Sequence, residues 1–92
     1  MGELFAKQWS AVCGPHALLV RNSWNRGAHL YVDGDRVASY NGFLALNKRK
    51  PIMRHELREP DGVRVIEIFA YAMWSSKVKI VADGVHVGGD VF

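Results

Sequence analysis

Turn signals cut this chain into runs too short for helices. They fall at Cys13-Gly14-Pro15, Asn25-Arg26-Gly27, Asp33-Gly34, Asn41-Gly42, Pro60-Asp61-Gly62, Asp83-Gly84 and Gly88-Gly89. Gly accepts positive φ there, Pro fixes φ, and Asn or Asp bonds its own nearby backbone. Between the turns lie runs rich in Val, Ile, Tyr, Phe and Trp, side chains that suit a pleated surface. No segment keeps apolar residues at i, i+3, i+4 and i+7 for three turns without a Gly or Pro. Strands are expected near 4–12, 16–24, 28–33, 36–40, 43–46, 52–58, 63–74, 77–82 and 85–88, with a short helical turn near 43–47 as an alternative there. That pattern predicts an all-β, antiparallel β-sandwich of about eight strands. The 92 residues make one domain, 1–92, because folding a chain this size hides roughly 60–65% of its surface in a single core.

The chain also resembles itself. Slid by 50 residues, 14–37 lies on 64–87 and places Trp24 on Trp74, Asp33 on Asp83, Gly34 on Gly84 and Val37 on Val87. Both Asp-Gly dipeptides suit tight hairpin turns, since Gly tolerates the positive φ they require. The expectation is two similar long-strand/hairpin units packed through one apolar face each. Alternation then assigns that face. His16, Leu18, Val20, Asn22 and Trp24 share it in the first unit, and Ile66, Ile68, Ala70, Ala72 and Trp74 in the second. The opposite faces hold Ala17, Leu19, Arg21 and Ser23, and Glu67, Phe69, Tyr71 and Met73.

These residues resemble a known family. Trp9, Gly14, His16, an apolar run to Val20, Gly27 and Tyr31-Val32-Asp33-Gly34 look like the opening of a Fas apoptotic inhibitory molecule domain. Phe69-Ala70-Tyr71, Lys79-Ile80-Val81 and Gly84 resemble its closing strands. The resemblance implies a compact antiparallel β-sandwich, no catalytic centre and action through protein contacts. The middle segment 41–62, with Lys48-Arg49-Lys50-Pro51, departs from the family pattern. The animal proteins carry two such units in tandem, and here there is one. The fold therefore carries over better than the apoptotic role, as for a prokaryotic relative.

Charge is local. The chain has a formal net charge of +3. Segment 48–58 holds Lys48, Arg49, Lys50, Arg54 and Arg58 against Glu56, a net of +4; the remainder nets −1. This is not a uniformly basic nucleic-acid binder. The segment contains no aromatic residue to stack on bases, so nucleic acid is not the expected partner. Lys and Arg on an edge strand or solvated loop also discourage edge-to-edge pairing.

Enzymatic chemistry finds little support. Cys13 and His16 stand three apart, but a nucleophile needs an orienting third group and an oxyanion site, and zinc needs further ligands. His29, His55 and His86 show no ligand spacing, and one cysteine excludes a disulfide framework. The serines lack a nucleophile-elbow setting, and Gly84 to Gly89 lacks a phosphate loop's Lys-Ser/Thr. A galectin-like lectin would want His-x-Asn-x-Arg, which does not occur. No apolar run reaches a membrane span. The opening MGELFAKQWS is not a secretory signal, and Ala6 stands where a myristoylation motif wants Ser or Thr.

The expectation is a non-enzymatic cytoplasmic domain with no cofactor and no metal, working through protein contact and as a homodimer. Phe69, Tyr71 and Met73 form the expected contact surface, flanked by Leu19 and Arg21. The alternative is an anion- or nucleic-acid-binding module using Lys48, Arg49, Lys50 and Arg54.

Overall fold

A computed structural model describes residues 7–23, 27–40, 50–72 and 76–90. They form eight strands: β1 (Lys7–Cys13), β2 (His16–Ser23), β3 (Gly27–Val32), β4 (Asp35–Tyr40), β5 (Met53–Glu59), β6 (Gly62–Ala72), β7 (Ser76–Ala82) and β8 (Val85–Gly89). The expected strand at 43–46 and the helical turn near 43–47 lie outside the described residues, as do Trp24, Trp74 and Met73.

All eight strands belong to one antiparallel sheet, ordered β4-β3-β2-β1-β8-β7-β6-β5 and nearly closed into a barrel. Each neighbouring pair within 7–40 and within 53–89 is a simple hairpin, as short connections between sequential strands favour. The two meanders meet where β1 lies beside β8, at the single registered pair Ala11↔Gly88.

The predicted alternation places the core. Leu18, Val20, Ile66, Ile68 and Ala70 are buried, joined by Trp9, Cys13, Leu30, Met53, Leu57, Val78 and Ile80. Their neighbours Leu19, Arg21, Glu67, Phe69 and Tyr71 point to the other face and are half-buried. Burying one face of β1, β2, β3, β5, β6 and β7 removes Leu18, Val20, Leu30, Ile66, Ile68 and Ile80 from water, which contributes roughly 1.5–3 kcal/mol apiece.

Both Asp-Gly turns use the same device. Asp33 and Gly34 have φ of 51° and 88°, Asp83 and Gly84 of 49° and 80°. Positive φ at both central residues is the turn whose twist matches the strands it joins. Asp33 Oδ1 accepts the Ala17 N–H at 2.9 Å while the Asp33 N–H donates to the Ala17 carbonyl. Asp83 Oδ1 accepts the Val65 N–H at 2.8 Å while its own N–H donates to the Val65 carbonyl. Each aspartate thereby prolongs the ladder past the strand end. Each hairpin also carries a bulge at a like place, between Leu30 and Tyr31 and between Ile80 and Val81.

The ladder also refines the spacing. Leu18 pairs with Val32, and Ile66 pairs with Ala82. Equivalent ladder places are therefore 48 residues apart between β2 and β6 and 50 apart between β3 and β7. The hairpin of β6 and β7 is longer by one pair, which absorbs the difference without changing which face is buried.

Candidate functional site

The residues expected to form one contact surface fall on different parts of the sheet. Phe69 and Tyr71 lie on the outer face of β6, opposite Lys79 and Lys77 of β7. The Lys79 ammonium sits 5.0 Å from the centroid of the Phe69 ring, an attraction of cation to ring face that covers part of the ring. Leu19 and Arg21 lie on the outer face of β2. Three strands, β1, β8 and β7, separate β2 from β6, a spacing of roughly 19 Å along the sheet at one strand per ~4.8 Å. Leu19 and Arg21 therefore do not flank Phe69.

Leu19 belongs instead to a groove of about 600 Å³ on the outer face of β1, β2 and β3, lined by Ser10, Val12, Ala17, Leu19 and Tyr31 with Gly34 at its end. The register explains it. Val12 stands opposite Ala17, Ser10 opposite Leu19, and Leu19 opposite Tyr31. Small Ser10 and Ala17 leave room between Val12, Leu19 and Tyr31. Val12 is 69% exposed, an apolar side chain that water does not favour. Sequence reasoning missed Val12 because β1 is apolar at both parities near its end, so alternation alone gave no reason to look outward.

Of the basic residues, Lys48 and Arg49 lie outside the described residues. Lys50 is exposed just before β5, and Arg54 is exposed on the outer face of β5, an edge strand of the sheet. Arg54 pairs with Glu56 at 3.4 Å, an exposed contact worth little on its own.

A polar network gathers at the end of the sheet that carries the tight turns. Cys13 is the last residue of β1 and stands opposite His16, with Gly14-Pro15 making the turn. The two side chains have separate partners. His16 Nδ1 meets Asp33 Oδ2 at 2.7 Å, and its Nε2 lies 4.0 Å from Glu59 Oε1. Arg64 Nε lies 3.1 Å from the same oxygen. Arg64 donates to Cys13 Sγ at 3.6 Å, and that thiol, beside Glu59, raises the guanidinium's affinity for its proton. The Ala17 N–H and then His16 hold the Asp33 carboxyl below its ordinary range.

Asp33 supplies His16 with an orienting carboxylate that the sequence did not reveal. The usable signal was present: His16 begins β2 and Asp33 follows β3, so pairing those strands brings the two together. Cys13 is nevertheless only 3% exposed, and its thiol is engaged by Arg64. Among the described residues, no group of three or more His, Cys, Asp or Glu is placed to hold a metal ion.

No protein-family model matches the chain, and neither a curated protein nor a solved structure matches it.

Proposed function

We propose that this chain is a non-enzymatic protein-interaction module that self-associates, and that the groove of Val12, Ala17, Leu19 and Tyr31 is its contact surface. The carrying observation is the exposed Val12 beside half-buried Leu19 and Tyr31 on three adjacent strands. Covering such a strip contributes about 25 cal/mol per Å² of apolar surface, before association entropy is subtracted. The outer face of Phe69 and Tyr71 is the second candidate surface, weakened by the Lys79 ammonium over Phe69. Catalysis is set aside because Cys13 is buried and engaged by Arg64. The free thiol accords with a reducing, cytoplasmic setting.

In this reading the fold is a sandwich of two related units, 7–40 and 53–90. The like Asp-Gly turns, the like bulges and the like register of the two meanders support it. A single-unit relationship to the Fas apoptotic inhibitory molecule family is part of the same proposal, resting on the motifs from Trp9 to Gly84.

Sedimentation tests the contact surface. The wild type should shift toward dimer between about 1 and about 100 μM, the range of moderate interfaces. Val12→Lys/Leu19→Lys should remain monomeric, and added salt should leave wild-type association intact. A wild type that stays monomeric throughout removes self-association. Association that survives in the variant but is lost in Phe69→Lys/Tyr71→Lys moves the surface to β6. Steep loss with salt favours anion binding through Lys50 and Arg54.

A further inference from the structure

We infer that the outer face of β6 and β7 binds single-stranded nucleic acid, a surface separate from the groove. Three observations carry this. First, the pairing of the two strands alternates rings with cations. Phe69 stands opposite Lys79, and Tyr71 stands opposite Lys77. Single-strand sites combine these residue types, because every base has a face to stack on a ring and every nucleotide a phosphate to neutralise. The sequence hides the alternation, since the rings come from β6 and the cations from β7. Segment 48–58, where cations cluster along the chain, has no ring, so its composition argued against nucleic acid; the sheet sets rings beside a different pair of cations.

Second, the spacing selects a single strand. Phe69 and Tyr71 are neighbours on one face of β6, roughly 6.8 Å apart along it. A stacked strand rises about 3.4 Å per nucleotide. Neighbouring bases therefore reach both rings only when unstacked and drawn out, which a duplex forbids. Third, cations gather where the rings are. Lys77 is exposed, Lys79 is half-buried, and exposed Lys50 stands just ahead of β5. The acidic side chains Glu56 and Glu67 lie nearer the Asp83-Gly84 turn, opposite Val65 and Val81, and Arg54 stands across from Glu67. The Lys79 ammonium rests 5.0 Å from the Phe69 ring centroid. Its flexible stem lets it pass to a phosphate while a base takes the ring face. The feature that weakens this face as an apolar protein contact therefore suits it to a ligand that is both aromatic and anionic.

Fluorescence anisotropy and amide NMR on the full chain test this. The probes are an oligothymidylate of about ten nucleotides, within the length range of single-strand sites, an abasic strand of equal length, and the thymidylate annealed to its complement. The thymidylate should bind about tenfold more tightly than either of the others, since it alone offers unpaired bases. Shifts should concentrate on the amides of 69–71 and 77–79. Lys77→Gln should weaken binding and flatten the slope of log affinity against log salt by about 0.7, the share of one phosphate. Tyr71→Leu should weaken thymidylate binding about tenfold and leave the abasic strand unchanged. Equal affinity for the thymidylate and the abasic strand overturns the inference, since phosphates alone are then recognised. Equal affinity for the duplex overturns it too, as does binding of none of the three at millimolar concentration. Shifts confined to 50–54 move the anion site to β5, and shifts confined to Val12, Ala17 and Leu19 move it to the groove; either result overturns the inference. If Tyr71→Leu fails to fold, the three probes on the wild type still decide.

Discussion

The two hairpins that follow the Asp-Gly plan, β3–β4 and β7–β8, begin alike and end differently. Both start at an aspartate with positive φ that clamps the preceding strand, and both bulge at a like place. The last strand of the second hairpin then pairs with β1, while the last strand of the first lies near β5 without a ladder among the described residues. The residues at the two seams account for the difference. Gly88, opposite Ile80, lies against Ala11, and a Cβ at Gly88 would stand 2.6 Å from the Ala11 Cβ. The corresponding places beside β4 and β5 hold Ala38, opposite Leu30, and His55, opposite Ile66. Backbones approach closely only where side chains are absent or small. A shared turn therefore sets the hairpin, and single positions far from that turn set whether its outer edge pairs in a ladder.

The largest expected effect is at Gly89. Its φ is +80°, and a Cβ there would run into the Val78 carbonyl oxygen. Gly89→Ala should cost roughly 3 kcal/mol or more, combining backbone strain with overpacking. Ser39 occupies the matching place on β4, is exposed, and its hydroxyl meets His29 Nδ1 at 2.9 Å. Ser39→Ala should cost under about 1 kcal/mol. Urea titration of the pair measures both. Equal losses would mean that the seams make equal demands on the backbone, and the contrast drawn between them would be lost.

Next comes the polar tie across the joined seam. Asp90 Oδ2 accepts the Trp9 Nε1–H and the Val78 N–H, each at 2.9 Å. Removing the carboxylate strands two part-buried donors, so Asp90→Ala should cost roughly 1–3 kcal/mol. Tyr40 and Met53 stand at the corresponding places of the open seam, opposite Ala28 and Ile68. Tyr40→Phe, which keeps the ring, should change stability by no more than about 0.5 kcal/mol. Comparable losses at Asp90 and Tyr40 would point to a tie at the second seam and would end the contrast between the two.

How much of this the sequence disclosed follows from the range of each interaction. Faces were legible because alternation is local: Leu18, Val20, Ile66 and Ile68 stand on the buried side that their period assigned. The turns were legible because Asp-Gly has a local conformational cause. Cys13 was read as a turn residue and is instead the last residue of β1, a one-residue error of boundary. The separation of Leu19 and Arg21 from Phe69 was not accessible, because it depends on three intervening strands. Nor was the 48-residue spacing of β2 and β6, since a hairpin lengthens by one pair without altering either face. The Trp9–Asp90 bond joins residues 81 apart, and no local pattern records it.

The smallest effect separates the two turn aspartates. Asp33 has His16 at 2.7 Å on its second oxygen; at the place matching His16 the other meander has Arg64, which is directed to Glu59 and Cys13. The Asp33 carboxyl titrates below its ordinary value of 3.8, first through the Ala17 N–H and then through His16. The unfolded chain, with its higher carboxyl pKa, takes up the proton first as pH falls. Stability from the ionised carboxylate is therefore fully present above the unfolded value and is lost as pH drops through the folded one. Asp33→Asn keeps an oxygen for the Ala17 N–H but has no proton to take up. The wild type's advantage over this variant should shrink as pH falls from about 5 toward about 2. His16→Gln should reduce that shrinkage without removing it, because the Ala17 bond remains. Urea midpoints of the three proteins across this range provide the check. A wild-type advantage that does not change with pH would show that the carboxyl titrates alike in folded and unfolded chains, and the His16 contact would then be geometry without electrostatic consequence.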